Sequence, residues 1–173
     1  MATERIVDEE GLKVRIYPDP ILKMPTTPVE KFDEELASLV KEMRVAMELR
    51  EGAGLAAPQV GVLKKIAIVA HEGFFYVLIN PRLLYQEGVQ QGDEGCLSFP
   101  GIYAPLPRPE RIKVAAQDTE GVERVYDVDG VFARAFLHEM DHLEGKLFID
   151  RLSSLKRGMI RKKMYKRAAG DQK

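Results

Sequence analysis

The sequence predicts an α+β fold. Three observations carry that prediction: short strand-like runs, one helix that is apolar nearly all round, and helices toward the two ends instead of a βαβ alternation. The chain opens with Pro18, Pro20, Pro25 and Pro28, which read as an extended, irregular stretch. Asp33 can then cap a helix, with Glu34 and Glu35 in its first turn. Leu36, Leu39, Val40, Met43 and Met47 follow at helical spacing and give that helix one buried face; it should stop near Gly52. The run Gly52 to Gly61 is too small-sided to be ordinary core. Strands are expected at Lys65–Ala70 and Phe74–Asn80, with a further short one at Leu83–Gln86. Arg111–Gln117 and Val122–Val128, joined by Asp118 to Gly121, read as a hairpin. A second helix should run from Gly130 to Leu143, capped by Asp129 and ended at Gly145. Val131, Phe132, Ala135, Phe136, Leu137, Met140 and Leu143 leave it few polar sides, so it should be central and buried. A third helix is expected over about Ser154–Ala168. The sum is short antiparallel and mixed strands around one buried central helix, with an N-terminal and a C-terminal helix.

Composition sets the frame. The 173 residues suit a single domain spanning 1–173, with 1–10 a polar N-terminal extension and 154–173 a basic C-terminal helix. Hydrophobic residues at 45% and charged residues at 31% exclude collagen and wholesale disorder. No apolar run approaches the roughly 20 residues that span a bilayer. Met1–Glu10 is acidic, unlike a secretory or transit peptide. A lone cysteine, Cys96, points to a reducing, cytoplasmic setting. The net charge of −1 hides an asymmetry: eight basic residues against one acid lie between Lys156 and Lys173, so the rest of the chain is acidic.

The chemistry concentrates in His138-Glu139-Met140-Asp141-His142. On a helix, residues four apart project from one face, so both imidazoles can bind one metal ion. Glu139 lies about 100° round the helix, close enough to reach a metal-bound water without being a ligand. A divalent metal lowers the pKa of its water, and a carboxylate can take the proton. A catalytic site of this kind needs a third protein ligand and one open position. Glu144 is too close on the helix, and His71 reads as an exposed loop histidine. Cys96, in Glu94-Gly95-Cys96-Leu97-Ser98, is the other candidate. It could be a thiolate ligand favouring zinc or ferrous iron, a nucleophile, or a small buried hydrophobe. The histidine spacing favours the metal over the nucleophile.

Three segments in order resemble the motifs of the peptide deformylase family: Gly52-Ala53-Gly54-Leu55-Ala56-Ala57-Pro58-Gln59, Glu94-Gly95-Cys96-Leu97-Ser98, and His138-Glu139-Met140-Asp141-His142. Asn80-Pro81 and Leu143-Glu144-Gly145 are also similar to that family, and the resemblance runs from about Leu12 to about Met164. It implies a small α+β fold and removal of the N-terminal formyl group from formyl-methionine of new polypeptides, releasing formate. It implies Cys96, His138 and His142 as ligands of one divalent metal, ferrous iron in the cell, with zinc, nickel or cobalt as substitutes. Glu139 would be the general base and acid, and Gln59 with the Leu97 N–H would stabilise the oxyanion. Gly54 and Glu94 are grouped as substrate-binding residues; Glu94 could equally orient a ligand imidazole. Asp141 is expected to be structural, paired with an arginine such as Arg108. Two positions depart from the pattern. Leu137 stands where many members have Gln, and Tyr103 where some have Arg. The basic C-terminal helix could meet the ribosome, as in some members, since phosphates attract Lys and Arg clusters. The competing readings are a general metallopeptidase and a non-catalytic ribosome-associated binding protein.

Overall fold

The computed structural model describes residues 5–170; of the N-terminal extension, Met1–Glu4 lie outside them, as does the end of the basic tail. The chain begins with two short strands, β1 (Val7–Asp8) and β2 (Gly11–Leu12), paired antiparallel. The proline-rich stretch is irregular, apart from a 3-10 turn at Pro20–Lys23 capped by the Asp19 side chain. Helix α1 spans Glu34–Leu49, and Asp33 caps it by accepting a hydrogen bond from the Leu36 N–H. Such a cap is worth about 1 kcal/mol.

The small-residue run, expected to be too small-sided for ordinary core, is largely buried. It forms strand β3 (Gly54–Ala56) and a fully buried 3-10 turn at Ala57–Val60. Strands β4 (Ile66–His71) and β5 (Phe74–Glu87) follow. The two strands expected on either side of Asn80-Pro81 are one: β5 continues through register shifts between Ile79 and Arg82 and between Leu83 and Tyr85. Asn80 turns there at φ 51. Its side chain holds the Val29 N–H and C=O and the Gln117 amide. Strands β6 (Asp93–Gly95) and β7 (Tyr103–Pro105), both unforeseen, form a separate two-stranded pair. Strands β8 (Arg111–Gln117) and β9 (Glu123–Asp129) make the expected hairpin.

The main sheet has the order β3-β4-β5-β8-β9. Among the described residues every strand pair is antiparallel, and the one parallel contact is an isolated bridge between Thr27 and Lys64, so the mixed strands that were expected are antiparallel here. Leu55, Ile66, Ile68 and Ile79 face α1, packing with Leu39, Met43 and Met47. Ala56, Ala67, Val69 and Leu78 face the other way, toward helix α2 (Gly130–Leu143). Strand β4 is therefore covered on both faces, which is why it reads as an unbroken apolar run. Asp129 occupies the cap position of α2 but its side chain makes no capping hydrogen bond, contrary to expectation. Helix α2 buries Ala133, Phe136 and Leu143 against the sheet, so it lies on one face and not at the centre of a ring of strands. A third cluster, Tyr17, Phe99, Ile102, Phe148 and Met164, joins the β6–β7 region to helix α3 (Ser154–Gly170).

Candidate active site

The site forms where α2 faces β3 and β6. Helical geometry turns His138 and His142 to the same side, and their Nε2 atoms lie 3.3 Å apart. Cys96, just past β6, brings its Sγ within 3.4 Å of His142 Nε2. One ligand atom from each of Cys96, His138 and His142 lies within 4.8 Å of the others. His71, at the end of β4, is not among them and stacks edge-on to Phe132. Glu144, also considered as a third ligand, pairs instead with Lys65.

The two histidines are nearly sealed, at 6% and 1% exposure. Burial alone would keep His138 neutral, but Cys96, Glu94 and Glu139 raise it well above its ordinary value. Burial and the neighbouring His138 push His142 well below. This donor set therefore draws one positive charge into a buried spot between a soft sulfur and two ring nitrogens. A divalent cation fits that demand.

Glu94 holds His138 in place. Its Oε2 lies 2.7 Å from His138 Nδ1, which leaves Nε2 to face the sulfur. Arg108 grips both oxygens of the same carboxylate, Nε to Oε1 at 2.9 Å and Nη2 to Oε2 at 2.7 Å. Arg134 adds a contact from Nη1 to Oε1 at 3.2 Å. Burial pushes the Glu94 carboxyl up, but the hydrogen bonds from Arg108 and His138 outweigh it and hold the group at about 2. With both oxygens engaged, the Glu94 side chain braces the imidazole, and the residue also lines the groove that opens over the site. Arg108 also donates to Asp141, at 2.9 Å, the pairing anticipated from the sequence.

Glu139 has the opposite surroundings. Burial pushes its carboxyl up to about 7, with the nearby His138 only partly offsetting it. Its Oε2 is buried without a hydrogen-bond partner among the described residues. It lies against Gly54, where a Cβ would stand 2.5 Å from Oε1. Gln59 is 1% exposed and fixed in orientation, because its Oε1 accepts from the Ala56 N–H. Its Nε2 is thereby aimed at Ser98 Oγ, 3.1 Å away, and Cys96 Sγ, 3.4 Å away. The Leu97 N–H takes no acceptor among the described residues.

A groove of about 690 Å³ opens over these groups. Gly52–Gly54 form one wall, Asp93–Leu97 and Pro100–Tyr103 the other, and Val131, Arg134, Ala135, His138 and Glu139 line it from α2. Sequence reasoning brought together Gln59, Glu94, Cys96, Leu97, His138, Glu139, His142 and Gly54, and all line or adjoin this groove. It missed the part played by Arg134 and the grip of Arg108 on Glu94. Arg134 stands one helical turn before His138, and that spacing was the available signal.

The family model for polypeptide deformylase matches residues 12–158. The chain belongs to the polypeptide deformylase family. It is 42% identical to a peptide deformylase of Acidobacterium capsulatum over 155 residues, 87% of this chain and 91% of that one. A crystal structure of a peptide deformylase from Legionella pneumophila superposes with a TM-score of 0.86 at 37% identity, covering 93% of this chain and 97% of that one. The peptide deformylase of Ehrlichia chaffeensis in complex with actinonin gives 0.88 at 36% identity, covering 91% and 98%. The α+β arrangement expected from the sequence is the deformylase fold. Membership makes the chain a metal-dependent hydrolase.

Proposed function

We propose how the residues of this groove carry out the family's reaction. The enzyme removes the N-terminal formyl group from new polypeptides, giving formate and a free amine. The observation that carries the residue assignment is one buried cluster holding Cys96, His138 and His142, with Glu139 and Gln59 beside it.

Cys96 Sγ and the Nε2 atoms of His138 and His142 would hold the metal, with Glu94 fixing the His138 ring. When bound there, a divalent metal supplies Lewis acidity, polarising a carbonyl and lowering the pKa of water. The thiolate makes the set soft, which favours ferrous iron or zinc; we take ferrous iron as the native ion. Glu139, with a carboxyl near 7 and one free oxygen, accepts the proton of the attacking water and returns it to the departing amine nitrogen. The tetrahedral oxyanion meets the Gln59 Nε2–H and the Leu97 N–H. One such donor is typically worth about 3–4 kcal/mol in the transition state.

The peptide lies extended between two unpaired strand edges. Among the described residues β3 is the outer strand of its sheet, and β6 has a partner on one side only. Main-chain hydrogen bonding along such edges recognises a peptide with little regard to sequence. Gly54 serves here by letting the substrate backbone come close to Glu139.

The exposed face of α3 supports a second contact, with ribosomal RNA. Lys156, Arg161, Lys162, Lys163 and Lys166 are exposed, while Met164 alone is buried. A nascent-chain enzyme of this kind works in the cytoplasm. Among the described residues no helix is long and apolar enough to cross a membrane.

The test is amine release from formyl-Met-Ala-Ser by protein charged with nickel or anaerobic ferrous iron, with acetyl-Met-Ala-Ser as control, alongside metal analysis of anaerobically purified protein. Turnover of the formyl peptide alone is expected. Cleavage of both peptides would point to a general peptidase. No turnover by folded protein with one metal per chain would overturn the assignment.

A further inference from the structure

Ser98 is fully buried and is not one of the residues lining the groove, yet its hydroxyl meets Gln59, one of the two donors assigned to the oxyanion. The Gln59 amide has two anchors. Its Oε1 accepts from the Ala56 N–H at 2.9 Å. That bond fixes which end of the amide faces the site, because Nε2 and the Ala56 N–H are both donors and repel each other. It leaves the amide free to swing about Oε1. Ser98 Oγ stops the swing by accepting from Nε2 at 3.1 Å. The amide nitrogen carries two hydrogens. Ser98 takes one, and the other is turned toward Cys96 Sγ, 3.4 Å away in the lining of the groove. The Ser98 backbone is held as well. The Phe99 N–H donates to the Cys96 carbonyl at 2.9 Å, closing a turn with Leu97 and Ser98 at its centre. The Leu97 N–H, the second oxyanion donor, therefore belongs to the same turn as Ser98. The Arg15 N–H donates to the Gln59 carbonyl at 2.7 Å, and the Tyr17 N–H to the Ser98 carbonyl at 2.9 Å. Two N–H groups of one N-terminal segment thus fix both backbones, and the bond between the Gln59 and Ser98 side chains closes the frame.

We propose that Ser98 is a positioning residue of the oxyanion site, whose hydroxyl holds the Gln59 amide so that one N–H reaches the developing oxyanion together with the Leu97 N–H. Outright loss of one such donor costs about 100-fold to 1000-fold in kcat. Ser98→Ala keeps Gln59 and its bond to Ala56, so it should cost less, about 10-fold to 30-fold. The donor acts on charge that develops only in the transition state. The loss therefore appears in kcat, with KM within about twofold of wild type. Ser98→Thr restores the hydroxyl and should recover most of the lost kcat.

This inference rests on the deformylase reading, and the experiment separates the two. Wild type, Ser98→Ala, Ser98→Thr, Gln59→Ala and the Gln59→Ala, Ser98→Ala double variant are compared on formyl-Met-Ala-Ser. All are charged with nickel, and melting temperature and metal content are measured on each. Ser98→Ala should lose about 10-fold to 30-fold in kcat in the wild-type background and less than about threefold in the Gln59→Ala background, because both changes act on one donor. Equal losses in the two backgrounds would mark a packing role and overturn the proposal. So would a kcat loss under about threefold in Ser98→Ala, or a loss carried by KM, by metal content or by failure to fold. Ser98→Thr as slow as Ser98→Ala would overturn it as well, since the hydroxyl would then not be what matters. No turnover of the formyl peptide by folded, metal-charged wild type overturns the reaction itself, and this inference with it.

Discussion

Replacing Gly54 by alanine should disable the enzyme without unfolding it. A Cβ at this position stands 2.5 Å from Glu139 Oε1 and 3.0 Å from both Cδ and Cγ. Ordinary contact lies near 3.5 Å, so the carboxylate must retreat by about 1 Å. The backbone asks for no glycine here, since Gly54 is not among the residues of positive φ. The atoms that must move belong to the far end of a side chain, so the fold adjusts easily. A gain of about 0.4–1 kcal/mol from the stiffer unfolded chain offsets part of any strain. Catalysis has no such latitude, because a 1 Å misplacement of a reacting group can cost about 100-fold. We therefore expect kcat/KM on formyl-Met-Ala to fall about 100-fold, or about 2.7 kcal/mol, with metal content and melting temperature close to wild type. The same substitution should add little in a Glu139→Gln background, since both changes act on one carboxylate. A loss under threefold would refute the reasoning. So would loss of the metal, because Cys96, His138 and His142 are not the atoms that Gly54 meets.

Two further outcomes follow from charge. In metal-free protein the buried carboxylates should give opposite pH dependences of the melting temperature. Glu94, held at about 2 and so below its ordinary 4.5, contributes stability above pH 4.5 that is lost as the pH falls toward 2. Glu139, raised to about 7, costs stability as the pH climbs from 4.5 through 7, so metal-free Glu139→Gln should gain on wild type above pH 7 and match it below 4.5. A pH-independent difference between the two proteins would contradict the burial argument. For α3, cosedimentation with ribosomes should weaken steeply with salt and vanish in a Lys162→Glu, Lys163→Glu, Lys166→Glu variant. Equal cosedimentation of that variant would remove the RNA contact.

The parts of the fold legible in the sequence are those whose residues serve one environment. Helix α1 has a single buried stripe and a side-chain cap, and both show in the pattern from Asp33 to Met47. The β8–β9 hairpin alternates on β8 and turns at Gly121, whose φ is 82. What stayed hidden depends on contacts distant in the chain. β3 is built from Gly, Leu and Ala because α1, α2 and the Glu139 carboxylate crowd it, and small residues of that kind do not read locally as core. Asn80-Pro81 reads as a break, yet the Asn80 side chain bridges Val29 and Gln117 and carries the strand through. Strands β6 and β7, three residues each, are too short for any period to show. The site residues were legible because the motifs are contiguous. Their supports were not, since Arg108 and Arg134 come from 14 and 40 residues away to meet Glu94.

Those supports decide what each carboxylate does. Glu94 and Glu139 are the same residue type, both about 4% exposed and both next to His138. Burial favours the neutral form of each. At Glu94 two guanidinium groups and the His138 Nδ1 overcome it, so the group stays ionised and serves as a fixed acceptor. At Glu139, among the described residues, no arginine makes a hydrogen bond and one oxygen has no partner, so burial prevails and raises the carboxyl to about 7. The His-Glu-x-x-His pattern on α2 singles out Glu139 but does not contain the reason that the proposed base and acid would hold a proton up to about pH 7. That reason lies in where the cations go. Arg108 is drawn to Glu94 on one side and Asp141 on the other, so it ties β6 to α2 and makes no hydrogen bond to Glu139 among the described residues. Truncating Arg108 would leave Glu94 buried without its main partner, a change that typically costs about 3–5 kcal/mol. It would also erase the contrast between the two carboxylates on which the division of labour depends.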